Sequence, residues 1–260
     1  MNVTTVDFET GHQEAAAELV ARRIADLRRL VPELPDTLTS AHAVAMLQTP
    51  LLAGPFAVAA VAGGQLVGFL AATMVDGFRG TPRRAALVPV FGHAVDPALD
   101  ATSETVVYRA LYREAARRWG TAGCEVHAIA IPAGQSTTVA CFAEAGFGMM
   151  LHDGIRPAVP LGAAAPQLAV VRRATTADAP ALARLDAEHN AYYSLPPVSM
   201  WPRASDPEEE FAQLVAATHG GVWVADADGD IQSFLRVDAT VDGASVLVSA
   251  PGNAAVSGAY

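Results

Sequence analysis

The stretch "GHAVDPALDATSETVVYRALYREAARRW", residues 92–119, reads as a strand, a turn around Pro97 and a long helix. Val107, Leu111, Ala115 and Trp119 recur every fourth residue, which places them on one helix face. A strand that runs straight into a helix start aims N–H groups and a positive dipole end at one spot, a ready anion site. Yet no glycine lies between Asp96 and Trp119, and Asp96, Asp100 and Glu104 crowd the junction. The stretch therefore argues for an α/β chain and leaves open what its turn holds.

Working outward, "NVTTVDF" (2–8) reads as a strand and residues 11–31 as a helix, with Ala16, Leu19, Val20, Ile24, Leu27 and Leu30 at helical spacing. A second helix over 40–48 is expected to stop before Pro50. "PFAVAAVA" and "QLVGFLAATMV" are strands joined by Gly63 and Gly64, a hairpin signal. "RAALVPVFGHAV" (84–95) is another strand, in which Pro89 marks a bulge or an edge. After the long helix come a strand at 125–132, a helix at 136–145 and a last strand at 147–157. The fold class is α/β with a mixed sheet, about 155 residues for this first part.

Residues 159–167 are small, apolar and Pro-containing, and read as a linker between a first domain (1–158) and a second stretch (168–260). The pattern then restarts. Thr175 is a helix N-cap with Asp178 three residues on, residues 206–218 form a second helix, and a hairpin turns at Asp228 and Gly229. "AVAGGQLVGFLAA" (60–72) lies over "ADADGDIQSFLRV" (225–237), and "VFGHA" (90–94) over "VSGAY" (256–260). This internal repeat puts Tyr260 at the place of Ala94. The second copy is then represented up to its fourth strand, one complete unit followed by about half of another.

A formal net charge of −10 excludes a basic nucleic-acid face and suits cationic small molecules or peptides. No apolar run reaches the roughly 20 residues of a membrane span, and the N-terminus is unlike a signal peptide. Cys124 and Cys141 lack metal-type spacing and read as buried thiols of a reducing, cytoplasmic setting.

Three passages resemble the GCN5-related N-acetyltransferase family in its tandem form: "VVRRATTADAPALARL" (170–185), "VADADGDIQSFL" (224–235) and "TTVACFAEAGF" (137–147). The resemblance implies an acyl-CoA N-acyltransferase fold and acetyl transfer from acetyl-CoA to an amine. It also implies a splayed fourth strand that holds the pantetheine arm, and a loop and helix start that cradle the diphosphate. A homodimer and a small-molecule or peptide amine are the partners it implies, with neither nucleic acid nor membrane.

Carried onto this chain, the cofactor segment covers Ala94, Val95, Asp96, Ala101, Ser103 and Thr105. The family's loop resembles a hydrophobic residue, x, Pro, x, x, Arg or Gln, then alternating glycines. Here Val95, Asp96 and Pro97 begin it, but Asp100 replaces the basic or amide residue, and Ala101, Ser103 and Thr105 fill the small positions. Two readings stand: a working cradle, or acidic residues that cap a helix. The family's acid tyrosine corresponds to Phe142 and its asparagine to Gln135, so the first copy reads as catalytically degenerate. His93 is the candidate base. His93, His127 and His152 on three strands raise a metal site that their spacing does not require, and no metal is expected. His189 lies in an aromatic cluster at 188–193, which reads as packing or as substrate-facing. The alternative function is a non-catalytic binding or dimerisation module.

Overall fold

A computed structural model describes residues 2–34, 36–132, 134–150, 159, 169–196, 200–217, 221–238 and 255–259. The chain divides into two compact units, residues 1–78 with 82–157, and residues 158–260 with 79–81. Both are mixed α/β.

The first unit opens with β1 (Thr4–Asp7), α1 (Gln13–Leu30) and α2 (Ala41–Leu52). β2 (Ala57–Ala62) and β3 (Gln65–Ala71) form the expected hairpin. Gly63 and Gly64 have φ of 58° and 80°, the left-handed pair that such a two-residue turn requires. β4 (Thr73–Val75), β5 (Ala85–Val88) and β6 (His93–Val95) follow, then α3 (Ala101–Thr121), β7 (Val126–Ile129) and α4 (Ser136–Glu144). One sheet has the order β1-β2-β3-β6 and a second the order β4-β5-β7, with β5 and β7 parallel.

Several expectations need correction. Residues 84–95 are not one bulged strand but two, in different sheets. Pro89 has no N–H to continue a ladder, so the chain turns. The Gly92 N–H closes on the Pro89 carbonyl at 2.8 Å, and the Gly92 carbonyl takes the Ala71 N–H at 2.7 Å. A Cβ on Gly92 would sit 2.7 Å from the Ala71 carbonyl oxygen, so only glycine fits. Residues 65–75 likewise break at Ala72. α2 runs past Pro50 to Leu52, because proline in a last turn removes a single hydrogen bond. The strand expected at 147–157 is absent over 147–150, while 151–157, with His152, lies outside the described residues. Of the proposed linker only Val159 is described.

α3 lies on the sheet because Gly68 lets it approach: a Cβ there would stand 2.9 Å from Val107 Cγ1. Between them sits a core of Val58, Leu70, Val107, Tyr108, Leu111, Trp119 and Phe142, all buried. Each side chain of leucine size contributes about 2 kcal/mol by leaving water.

The second unit contains β8 (Val170–Arg173), α5 (Ala179–Tyr193), α6 (Glu208–Ala216), β9 (Gly221–Ala227), β10 (Asp230–Asp238) and β11 (Ala255–Ala259). Thr175 and Asp178 form a capping box, as the sequence suggested. Arg172 joins this corner to the hairpin, donating to Asp178 at 2.8 Å and to Asp226 at 2.9 Å. Those donated hydrogen bonds hold the Asp178 carboxyl far below its ordinary value. Leu182, Phe211, Val222, Val224, Ile231 and Phe234 form its core.

Sheet order β8-β9-β10-β11 repeats β1-β2-β3-β6. Ala62 pairs with Gln65 and Ala227 with Asp230, an offset of 165. Both hairpins are irregular at one equivalent point: Val67 is skipped between Leu66 and Gly68, and Gln232 between Ile231 and Ser233. Phe69 faces Ala94, and Phe234 faces Ala259. The ladder therefore equates Ala259, not Tyr260, with Ala94, one residue from the sequence alignment.

Replacing Gly92 by alanine should lower the stability of the first unit by about 3 kcal/mol, because a backbone oxygen cannot yield as a side chain could. Urea unfolding of the full chain, followed by Trp119 fluorescence, measures this.

Candidate functional site

The end of β6, the loop after it and the starts of α3 and α4 form the candidate site. In the antiparallel ladder with β3, the backbone groups of residues 92, 94 and 96 face β3, with Asp96 N–H on the Val67 carbonyl at 2.9 Å. Those of His93 and Val95 face the other way. β6 is the terminal strand of its sheet, so among the described residues no strand lies along that outer edge. Of the cofactor residues expected on the strand, Val95 presents its backbone to this edge, and Ala94 is engaged by β3.

The loop is occupied by its own carboxylates. Asp96 Oδ1 accepts the Ala98 N–H at 3.1 Å, and Asp100 Oδ1 accepts the Ser103 N–H at 2.8 Å. Asp100 is the N-cap of α3, and the Ser103 N–H, helped by Thr102, pulls its carboxyl below the usual range. Leu99 N–H bonds the Asp96 carbonyl at 3.1 Å and Glu104 N–H the Asp100 carbonyl at 2.9 Å. The Thr105 hydroxyl donates to the Ala101 carbonyl at 2.9 Å. A diphosphate needs several convergent free donors and no facing carboxylate. Residues 95–105 set Asp96, Asp100 and Glu104 there, and the Ala98 and Ser103 N–H groups are already taken, so the loop fits that group poorly.

α4 closes against the same helix start. The Thr138 hydroxyl donates to Glu104 at 2.6 Å, and Arg109 pairs with Glu144. A groove of about 460 Å³ runs along this seam, lined by Ala101, Thr105, Val106, Arg109, Ala140 and Cys141. Phe142 is buried against Tyr108 and Tyr112, with ring centroids 5.6 and 5.7 Å away. Burial raises the Cys141 thiol above its ordinary value, so it is a poor nucleophile.

His93 is enclosed, with no exposed surface. The Ala130 carbonyl, 3.0 Å from Nε2, can only accept, so Nε2 carries the proton. Nδ1 then accepts from the Tyr108 hydroxyl at 2.9 Å and from Arg23 Nη1 at 3.3 Å. Burial, followed by the neighbouring guanidinium, holds the imidazole well below its ordinary value. Burial pushes the Tyr108 phenol up to about 12. With both nitrogens engaged and no opening to solvent, the ring's geometry suits a structural role better than that of a base.

His127 lies elsewhere, its Nδ1 3.0 Å from the Tyr112 hydroxyl, so His93 and His127 bond different partners. Among the described residues no group of three His, Cys, Asp or Glu could hold a metal ion. His189 stacks near Tyr193, with centroids 4.5 Å apart, within the second unit. Arg23, Gln48 and Tyr108 were missed by sequence reasoning. Their signal was present: Arg23 and Gln48 are polar residues on otherwise apolar helix faces, four positions from Leu19 and Val44.

A histidine kept neutral by folding contributes stability that is complete above its unfolded value of about 6.5 and is lost as pH falls below it. Thermal melts of the full chain should therefore show the first unit's Tm falling between about pH 6.5 and 5, a slope that His93→Gln reduces, with His127, also held down by burial, supplying part of the remainder.

No protein-family model matches the chain, and no curated protein does. Among solved structures, the chain is similar to a transcriptional regulator from Bacillus halodurans, at 16% identity over 61% of this chain and 100% of that one, with a TM-score of 0.44. It is similar to an aminoglycoside acetyltransferase from an uncultured soil metagenomic sample, at 18% identity over 60% of this chain and 98% of that one, with a TM-score of 0.41. It is also similar to a GCN5-related N-acetyltransferase from Kribbella flavida, at 16% identity, over 93% of this chain and 55% of that protein, with a TM-score of 0.39.

Proposed function

We propose that this chain belongs to a tandem GCN5-related N-acetyltransferase, which moves an acetyl group from acetyl-CoA to an amine, and that its first copy is a supporting, non-catalytic one. The observation behind the second part is the self-capped loop, where Asp96 and Asp100 hold the Ala98 and Ser103 N–H groups. The shared strand order and hairpin register support a duplicated unit. A first copy over 1–158, a connector at 159–167 and a second copy from 168 accord with that register. Acetyl chemistry is assigned to the second copy, where β11 is the equivalent of β6. Taken alone, the first copy would act as a binding or dimerisation module.

Hydrogen exchange on the full chain with acetyl-CoA at about 1 mM, far above ordinary cofactor affinities, should give no new protection across residues 96–105. Protection there would overturn the supporting role. Asp100→Asn keeps an acceptor for Ser103 and removes the charge, so it should leave this result unchanged; a gain in binding would mean that charge alone excludes the cofactor. The acetyltransfer reading fails if acetyl-CoA binds nowhere on the chain and no primary amine releases CoA thiol.

A further inference from the structure

β5 and β7 run side by side until Val88 and Ile129, and the Ala130 N–H makes the next bond, to the Val88 carbonyl at 3.0 Å. Beyond that point the chains part. β6 belongs to the other sheet, as its terminal strand, and residues 130–132 continue without it. A parting of this kind exposes backbone groups that need partners and opens a slot between two strand ends. The His93 side chain occupies that position. Its Nε2–H reaches across to the Ala130 carbonyl at 3.0 Å, a bond that a neighbouring strand would otherwise make.

The ring is held from two further sides. Tyr108 on α3 donates to Nδ1 at 2.9 Å, and Arg23 on α1 approaches at 3.3 Å. Arg23 is fixed in turn by the Val90 carbonyl, in the turn just before β6. One imidazole thus ties β6, α1, α3 and the chain after β7, with His93, Tyr108 and Arg23 each at least nine-tenths buried. Such a ring cannot rotate without breaking bonds on all sides.

We propose that His93 is a latch that keeps the parting between β6 and residues 130–132 shut against ligands, and that removing its ring converts the parting into a site for a flat heterocycle with one N–H donor and one ring-nitrogen acceptor. This goes beyond the acetyltransfer reading and does not rest on it, since no acetyl-CoA enters the test.

The probe is imidazole, and the readouts are hydrogen exchange at residues 93–96 and 129–131 together with the melting temperature. In His93→Gly, exchange in both segments should rise at least about tenfold over the wild type. Imidazole at ~50 mM should reverse most of that rise and lift the variant's Tm, leaving wild type unchanged. Tyr108→Phe, which removes the shorter of the two hydrogen bonds to Nδ1 and keeps the ring in place, should raise exchange in the same two segments by a smaller factor. A folded His93→Gly with wild-type exchange, or one that imidazole does not restore, overturns the proposal. If His93→Gly fails to fold, Tyr108→Phe decides: raised exchange confined to the two segments supports the latch, and unchanged exchange refutes it.

Discussion

A strand that breaks inside a protein must find partners for its carbonyls, and the break at residues 89–92 shapes the first unit more than any other constraint. Arg23 reaches the Val90 carbonyl, Gln48 donates to the Phe91 carbonyl at 2.8 Å, and the Ala71 N–H takes the Gly92 carbonyl. Two helices therefore carry polar residues in faces that are otherwise apolar. α2 also has to continue beyond Pro50, since Leu51 packs where a Gly92 side chain would be. The solution is not perfect. Among the described residues, Arg23 Nε and Gln48 Oε1 are buried without hydrogen-bond partners, and no carboxylate pairs with the guanidinium. Burial accordingly draws Arg23 below its ordinary value.

The same break separates β6 from β7 and determines what the following loop can do. A free strand edge leading into a helix start offers N–H groups to an anion. Here the sequence answers locally, with aspartates two and three residues before the amides that they accept. Such caps favour the helix and consume the donors at once. The chemistry of the loop thus follows from competition between an intramolecular carboxylate and any phosphate for the same hydrogens. A tethered acceptor at 2.8 Å enters that competition without losing translational freedom.

Much of this was legible in the residues. Gly63 and Gly64 announce a hairpin, Thr175 with Asp178, three residues on, a helix start, and residues 107–119 a buried helix face. These are local signals, decided within a few residues. The break at Pro89 is legible only as a bulge or an edge, because whether a proline bends a strand or divides it depends on partners dozens of positions away. His93 looked like a base for a related reason. Its type suits proton transfer, but its burial, and the Tyr108 and Ala130 atoms that occupy it, belong to tertiary structure. The acidic loop keeps both its readings open in the sequence, because which amides its carboxylates take is a matter of hydrogen-bond geometry.

The matched hairpins carry a hazard for folding. Two units of one chain with one strand order, one register and one displaced residue offer similar edges to each other's strands. What separates them is charge at the first strand. In the second unit Arg172 on β8 meets Asp226 on β9, and in the first the ladder gives apolar Val6 and Val61 at the equivalent places. A strand of one copy laid in the other's sheet would strand a carboxylate or a guanidinium against valine. That mismatch disfavours exchange of first strands between the two sheets.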